Sequence, residues 1–352
     1  MPKVTLLFTD KQQASISIAT INWSEKTNAC ALIRIKMKNN SSMKKSIKLF
    51  ISIFLTGVSL SAFGQQDEMF TQFFTNKLAI NPAYAGSKEA MSVLALYRNQ
   101  WVSFDGSPKT ISLTAHTPIF KNTSGVGFSL INDRIGIFNN LILNVAYTFR
   151  VDFPFGKLSL GLSGRLQRMQ ADWSKTNPFS MYDSEIPFTA TNLFMPNFGA
   201  GAYFYNDWLY AGLSVPHLLN SKYRFEQQQT VVETQANAER HLYAMVGAIV
   251  RVTDEIKFKP ALQFRYAPNS PNGLDLNGSF IFFDKFVLGA SLRAGDSYSA
   301  VIQYWISKKL AMGYSHDFNF TRLADYHNGS HEIFLSWDLP LKGFGVENPR
   351  FF

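Results

Sequence analysis

From Met91 to Asp338 the chain repeats one pattern: short segments in which apolar and polar residues alternate, each closed by a small turn. Leu141, Leu143, Val145, Tyr147 and Phe149 share one face of such a segment, and Asn144, Ala146, Thr148 and Arg150 share the other. A period of two puts successive side chains on opposite sides of a strand. Many such strands, without an apolar run that would make a membrane helix, predict an all-β fold. The expected architecture is an antiparallel transmembrane β-barrel whose apolar side meets lipid. The rival on this pattern is a soluble sandwich or propeller, in which the same apolar side forms a core.

About fourteen strands can be placed, centred near 91–99, 108–117, 124–133, 140–151, 157–168, 198–205, 208–215, 240–251, 256–266, 273–283, 285–293, 297–306, 308–318 and 330–338. Arg150, Arg165 and Arg293 fall on the polar side, where a barrel lumen accommodates charge. The links supply an independent check. Every even-to-odd link is short, as at 121–123, 153–157, 206–207, 253–255, 283–285 and 307–309. The longest links, 169–197, 216–239 and 319–329, are all odd-to-even. Short turns are expected at the periplasmic side and long loops at the extracellular side. The long loops carry Trp173, Phe179, Tyr182, Phe188 and Phe194, which are candidate partner contacts or else pack over the barrel mouth.

The barrel segment occupies 91–338; the ends read differently. Residues 43–64 have the layout of a signal peptide: a basic run with Lys44, Lys45 and Lys48, an apolar stretch from Leu49 to Leu60, then Ser61-Ala62-Phe63-Gly64. Cleavage is expected between Gly64 and Gln65. Residues 1–42 lack a clear period, which favours a start placed too early, with Met43 or Met37 as the true one, over a disordered cytoplasmic extension. Export of this kind implies the outer membrane of a Gram-negative bacterium.

Removing 1–64 changes the charge argument. Of the 34 Lys+Arg and 25 Asp+Glu, nine and two lie in that segment, leaving 25 against 23. The basic character therefore belongs mostly to the removed end, and no nucleic-acid footprint is expected. Cys30, the only cysteine, leaves with it. Thirty-two Phe, 14 Tyr and six Trp sit in a chain of mean hydropathy near zero, as expected if half of each strand is apolar and half polar.

Candidate chemistry is sparse. His116, His217, His241, His316, His327 and His331 show no zinc-protease spacing. No G-x-S-x-G elbow or phosphate loop occurs. His331 with Ser291 or Ser336 suggests a lipid-modifying enzyme only by selection from a Ser-rich barrel. No catalytic residue, metal site or cofactor is expected.

Residues 65–90 contain Pro82, which lacks a ladder donor, and Gly86, which suits a tight turn; they read as an ordered connector at the periplasmic side or inside the lumen. Left in water, Phe70, Phe73, Phe74 and Tyr84 would expose apolar area. The tail 339–352, with Pro340, Gly343, Gly345 and Pro349, either meets a periplasmic partner or folds back on the barrel.

Three blocks carry a family resemblance. Asn81-Pro82-Ala83-Tyr84-Ala85-Gly86 is followed by Asn99-Gln100-Trp101. Near the end stand Gly313, Tyr314, Tyr326, Gly329, Ser330, His331 and Glu332, and the chain closes on Asn348-Pro349-Arg350-Phe351-Phe352. Together these resemble the PorP/SprF outer-membrane proteins of the type IX secretion and gliding machinery of Bacteroidetes. The resemblance spans 65–352 and implies a non-enzymatic barrel. Its implied partners are a secreted or surface-anchored client protein, periplasmic and outer-membrane components of the apparatus, and the lipid bilayer. A diffusion channel or transporter is the alternative reading.

Overall fold

The computed structural model describes residues 5–8, 17–20, 68–88, 90–120, 122–175, 191–219, 222–226, 231–237, 240–268 and 270–341. The chain divides into two units, Met1–Ser61 and Ala62–Phe352. In the first, Thr5–Phe8 pairs antiparallel with Ser17–Thr20; the expected signal segment, 43–64, lies outside the described residues.

The second unit is a closed antiparallel barrel of fourteen strands. They are β1 (Ala90–Asn99), β2 (Lys109–Ile119), β3 (Ser124–Ile135), β4 (Phe138–Phe153), β5 (Gly156–Ala171), β6 (Thr191–Tyr205) and β7 (Leu209–Val215). β8 (Leu242–Ala248) resumes at Val250–Arg251 without loss of register, since Gly247 faces Ala261 and Val250 faces Phe258. β9 (Ile256–Tyr266), β10 (Gly273–Phe282), β11 (Phe286–Arg293), β12 (Ser297–Trp305), β13 (Leu310–Asn319) and β14 (Ser330–Pro340) follow. Each strand pairs with its neighbours in sequence, and β14 closes the ring on β1, with Ile333 opposite Tyr97. Among the described residues every barrel strand is paired on both sides, β6 with β7 only over Ala200–Tyr205.

The wall is inverted relative to a soluble core. Ile111, Leu113, Val145, Tyr147, Leu160 and Leu162 are exposed on the outside, whereas Ser112, Thr114, Thr148 and Ser159 are buried within. Arg150, Arg165 and Arg293 are buried on the inner face as the alternation requires. The apolar face therefore points away from the interior, the arrangement of a membrane barrel and not of a sandwich. The soluble alternative fails on this ground.

Several boundaries differ from those read in the sequence. β6 begins at Thr191, so Phe194 lies on the outer wall and not in a loop. The link after β7 contains its own hairpin, Lys222–Glu226 with Val231–Asn237. β14 extends to Pro340, with Leu339 opposite Met91 and Pro340 opposite Ala90. Proline is tolerated there because a strand end needs no further donor. The odd-to-even links 136–137 and 294–296 are short, so that set is not uniformly long.

Candidate functional site: a plugged lumen

Residues 68–88 run down the inside of the barrel. The descent is made by a turn at 71–75 and two short 3-10 turns, Lys77–Ala79 and Pro82–Tyr84. Asn81 caps the second: its Oδ1 accepts from the Ala83 N–H at 2.9 Å, and Pro82 sits where a missing N–H costs nothing. Phe73, Phe74, Leu78, Ile80, Ala83 and Tyr84 pack against inward Tyr203, Tyr210, Tyr243 and Met245. Phe70 joins Leu94, Leu96, Ile131, Ile142 and Phe334. The connector is thus luminal, and its aromatic residues are buried as the sequence requires.

At the end of the lumen near the long links, an ionic clamp holds the plug. Arg98 Nη2 donates to Asp317 Oδ2 at 2.7 Å, and Nη1 lies 3.2 Å from Glu332 Oε2. Glu332 accepts the backbone N–H groups of Thr71 and Gln72, both at 2.9 Å. The Thr71 hydroxyl donates to Asp317 at 2.8 Å and accepts from Arg98. Arg98, Asp317 and Glu332 are almost wholly out of solvent. Buried charge is tolerated only when paired and hydrogen-bonded, a condition this cluster meets through the plug itself. Beside it, Arg293 Nε donates to Asp275 at 2.8 Å and Nη2 to the Phe70 carbonyl at 3.3 Å.

Further down, Asn76 bonds Ser112 and Thr114, and the Ile80 carbonyl accepts from Ser214 at 3.0 Å. The Asn81 amide donates to the Ala202 carbonyl at 3.1 Å. Here the wall is built of glycine so that the plug backbone can touch it. A Cβ at Gly161 would overlap the Ala83 backbone, and one at Gly201 would overlap the Asn81 side chain. Lys77 Nζ lies 4.0 Å from the Tyr210 ring centroid and 5.1 Å from that of Tyr84. Burial, helped by the charges of Lys259 and Lys88, holds its ammonium well below the ordinary lysine range. At the short-turn end Gly86, at φ +71°, donates its N–H to His116 Nδ1 at 3.1 Å. Lys88 meets Asp338 at 3.3 Å. A cavity of about 20 Å³ between Leu78, Pro82 and the β3–β5 wall has room for a water or two.

Two of the motif blocks, Asn99–Trp101 and Gly329–Glu332, meet at the β14–β1 seam. His331 faces Asn99, Glu332 faces Arg98, and Ser330 Oγ accepts the Trp101 N–H at 3.1 Å. Gln100 is buried, with its N–H on the Pro108 carbonyl. Gly329, at φ +83°, turns the chain into β14. Gly313 leaves space for the Phe334 ring. Tyr326 stands exposed in the β13–β14 link, and Tyr314 bonds His331 on the outer face. Trp173 packs on Phe138. Phe179, Tyr182, Phe188, Pro349, Arg350 and Phe352 lie outside the described residues. Ser291 and Ser336 are buried on the inner face while His331 faces outward, so no Ser–His pair forms from them. The clamp residues Thr71, Gln72 and Arg98 were not singled out by the sequence. Their only signal there is a charge on the polar side of β1.

A closed barrel with a lipid-facing wall, a polar interior and an internal plug is an outer-membrane β-barrel occluded by its own chain. This chain belongs to the type IX secretion system membrane protein PorP/SprF family, whose family model matches residues 62–337. No match was found among curated protein sequences. Similar solved structures include a Pseudomonas aeruginosa FadL homologue, 10% identical, covering 70% of this chain and 88% of its own, at TM-score 0.40. The CymD monoaromatic hydrocarbon channel is 9% identical, covers 80% and 96%, and has TM-score 0.44. The NanC porin is 8% identical, covers 72% and 100%, and has TM-score 0.39. Similarities this low add nothing to the strand pairing described above.

Proposed function

We propose that this protein is a non-enzymatic barrel of the type IX secretion and gliding apparatus. It helps to export or anchor one surface protein and links the outer membrane to periplasmic machinery. The observation that carries the reading is the filled lumen: the clamp at Thr71 and Gln72 and the tight seat of Asn81 to Ala83 oppose free diffusion. A barrel so blocked is suited to presenting surfaces to proteins. Signal cleavage after Gly64 would deliver it to the periplasm, with the short turns remaining on that side and the long links reaching outward.

Two measurements test this. Affinity purification in mild detergent should recover a surface protein and periplasmic components of the apparatus; recovery of the barrel alone would count against the proposal. In planar bilayers the purified protein should give no steady conductance. A persistent open pore would favour the channel alternative.

A further inference from the structure

The outer wall of β13, β14, β1, β2, β3, β4 and β5 can be read as rows, because the register of each pair is fixed. One row is Met312, Leu335, Ala95, Leu113, Leu130, Leu143 and Leu166, entirely apolar. Two residues nearer the long links, the row becomes Tyr314, Ile333, Tyr97, Ile111, Asn132, Leu141 and Arg168. Two residues further it is His316, His331, Asn99, Lys109, Arg134, Asn139 and Gln170, with no apolar side chain and no carboxylate. Each step is about 7 Å along the strand. On β2 and β3 the apolar outer face therefore ends within about 14 Å of the leucine row, and Lys109 and Arg134, at the ends of these two strands, lie at headgroup depth. Around the ring, β9 to β12 present Tyr266, Leu274, Leu292 and Tyr298 outward near the same end. The cationic row is therefore confined to one sector.

Within that row Lys109 and Arg134 stand directly opposite each other on β2 and β3, both exposed. Like charges in that relation repel. Elsewhere in the barrel the same problem is answered by a carboxylate: Arg251 faces Lys257, and Lys257 Nζ is 2.6 Å from Asp284. Lys109 and Arg134 have no ion-pair partner among the described residues. A cationic pair without a carboxylate, at the depth of lipid headgroups, matches an anion supplied by the bilayer.

We propose that this sector binds a phosphorylated lipid headgroup, with Lys109 and Arg134 holding the phosphate. Asn99 flanks them along the row. The phosphate chemistry stands on the row alone. Its assignment to a glycolipid of the outer leaflet rests on the orientation proposed above.

The test uses the purified barrel in nanodiscs of neutral lipid doped with bisphosphorylated lipid A, dephosphorylated lipid A or phosphatidylglycerol. The readout is lipid retained after detergent extraction. Wild type should retain bisphosphorylated lipid A about tenfold better than K109Q/R134Q. It should retain little of the dephosphorylated form, and K109R/R134K should behave as wild type. Heat-modifiable migration on gels verifies that each variant is folded. Equal retention by wild type and K109Q/R134Q, or of the dephosphorylated lipid, overturns the site. Displacement by inorganic phosphate at the same concentration overturns the lipid assignment. Preference for phosphatidylglycerol that still depends on Lys109 and Arg134 overturns the orientation and leaves the phosphate site standing.

Discussion

Arg98 on the first strand and Glu332 on the last face each other across the seam that closes the barrel, 3.2 Å apart and almost wholly out of water. The same carboxylate accepts two backbone N–H groups from the plug. Closing the ring and seating residues 71–72 are therefore one event in physical terms. Without the plug, Glu332 would lose two of its donors in a buried site. Without β14, the plug would lose its anchor.

Truncating the clamp should loosen the plug. Removing one member of a buried, hydrogen-bonded charge cluster costs about 3–5 kcal/mol. R98A and E332A should lower the urea midpoint of the detergent-solubilised barrel accordingly. A single cysteine placed at Asn76, which is buried in wild type, reports on the plug itself. Maleimide should label N76C slowly in the wild-type background and rapidly beside E332A. Slow labelling in both would mean that the clamp does not hold the segment.

Two nearby glycines of β5 separate seating from strand propensity. At Gly161 a side chain would collide with the plug backbone, while at Gly164 nothing lies within 4 Å of an added Cβ. G161V should cost about 2–4 kcal/mol, because packed backbone must move. G164A should stay within about 0.5 kcal/mol of wild type. Both are read from urea midpoints. Equal effects at the two sites would show that the close approach of Ala83 to the wall contributes little.

The orientation is checked on intact cells. A protease site inserted in 176–190 should be cut from outside, and one inserted at 253–255, between β8 and β9, should be protected. The reverse pattern would turn the barrel over and place the Lys109–Arg134 row in the inner leaflet.

Most of the wall was legible in the sequence, since alternation and turn chemistry are local. Leu158, Leu160 and Leu162 against Ser159 and Gly161 define a face whatever else the chain does. The start of β6 was hidden because Leu193-Phe194-Met195-Pro196 is apolar on both faces, with Met195 buried inside and Phe194 exposed outside, so no period of two shows there. In the link after β7, Tyr223, Phe225, Val231 and Val232 carry a hairpin signal that polar neighbours obscured. The plug was legible only as an ordered connector with aromatics to bury. Its site depends on partners far along the chain, Thr71 with Glu332 and Gln72 with Gln303, and no local period encodes such pairs.

Lys77 gives the plug a pH signature. It is buried against Tyr84 and Tyr210, and burial lowers its folded pKa well below the ordinary lysine value. Between that depressed value and the unfolded value near 10.5, the unfolded chain binds a proton that the folded one does not. Stability must then rise with pH across the window, by about 1.4 kcal/mol per pH unit for this one group. K77M keeps the volume and removes the titration, so the difference in stability between wild type and K77M should change with pH at that slope. Below the folded pKa both states are protonated and the difference should level off, with K77M the more stable because no ammonium need be buried. Urea midpoints of the two proteins, measured in parallel from neutral to alkaline pH, decide the matter. A constant difference across the range would show that Lys77 stays charged inside the barrel and that the neighbouring rings are sufficient to hold it.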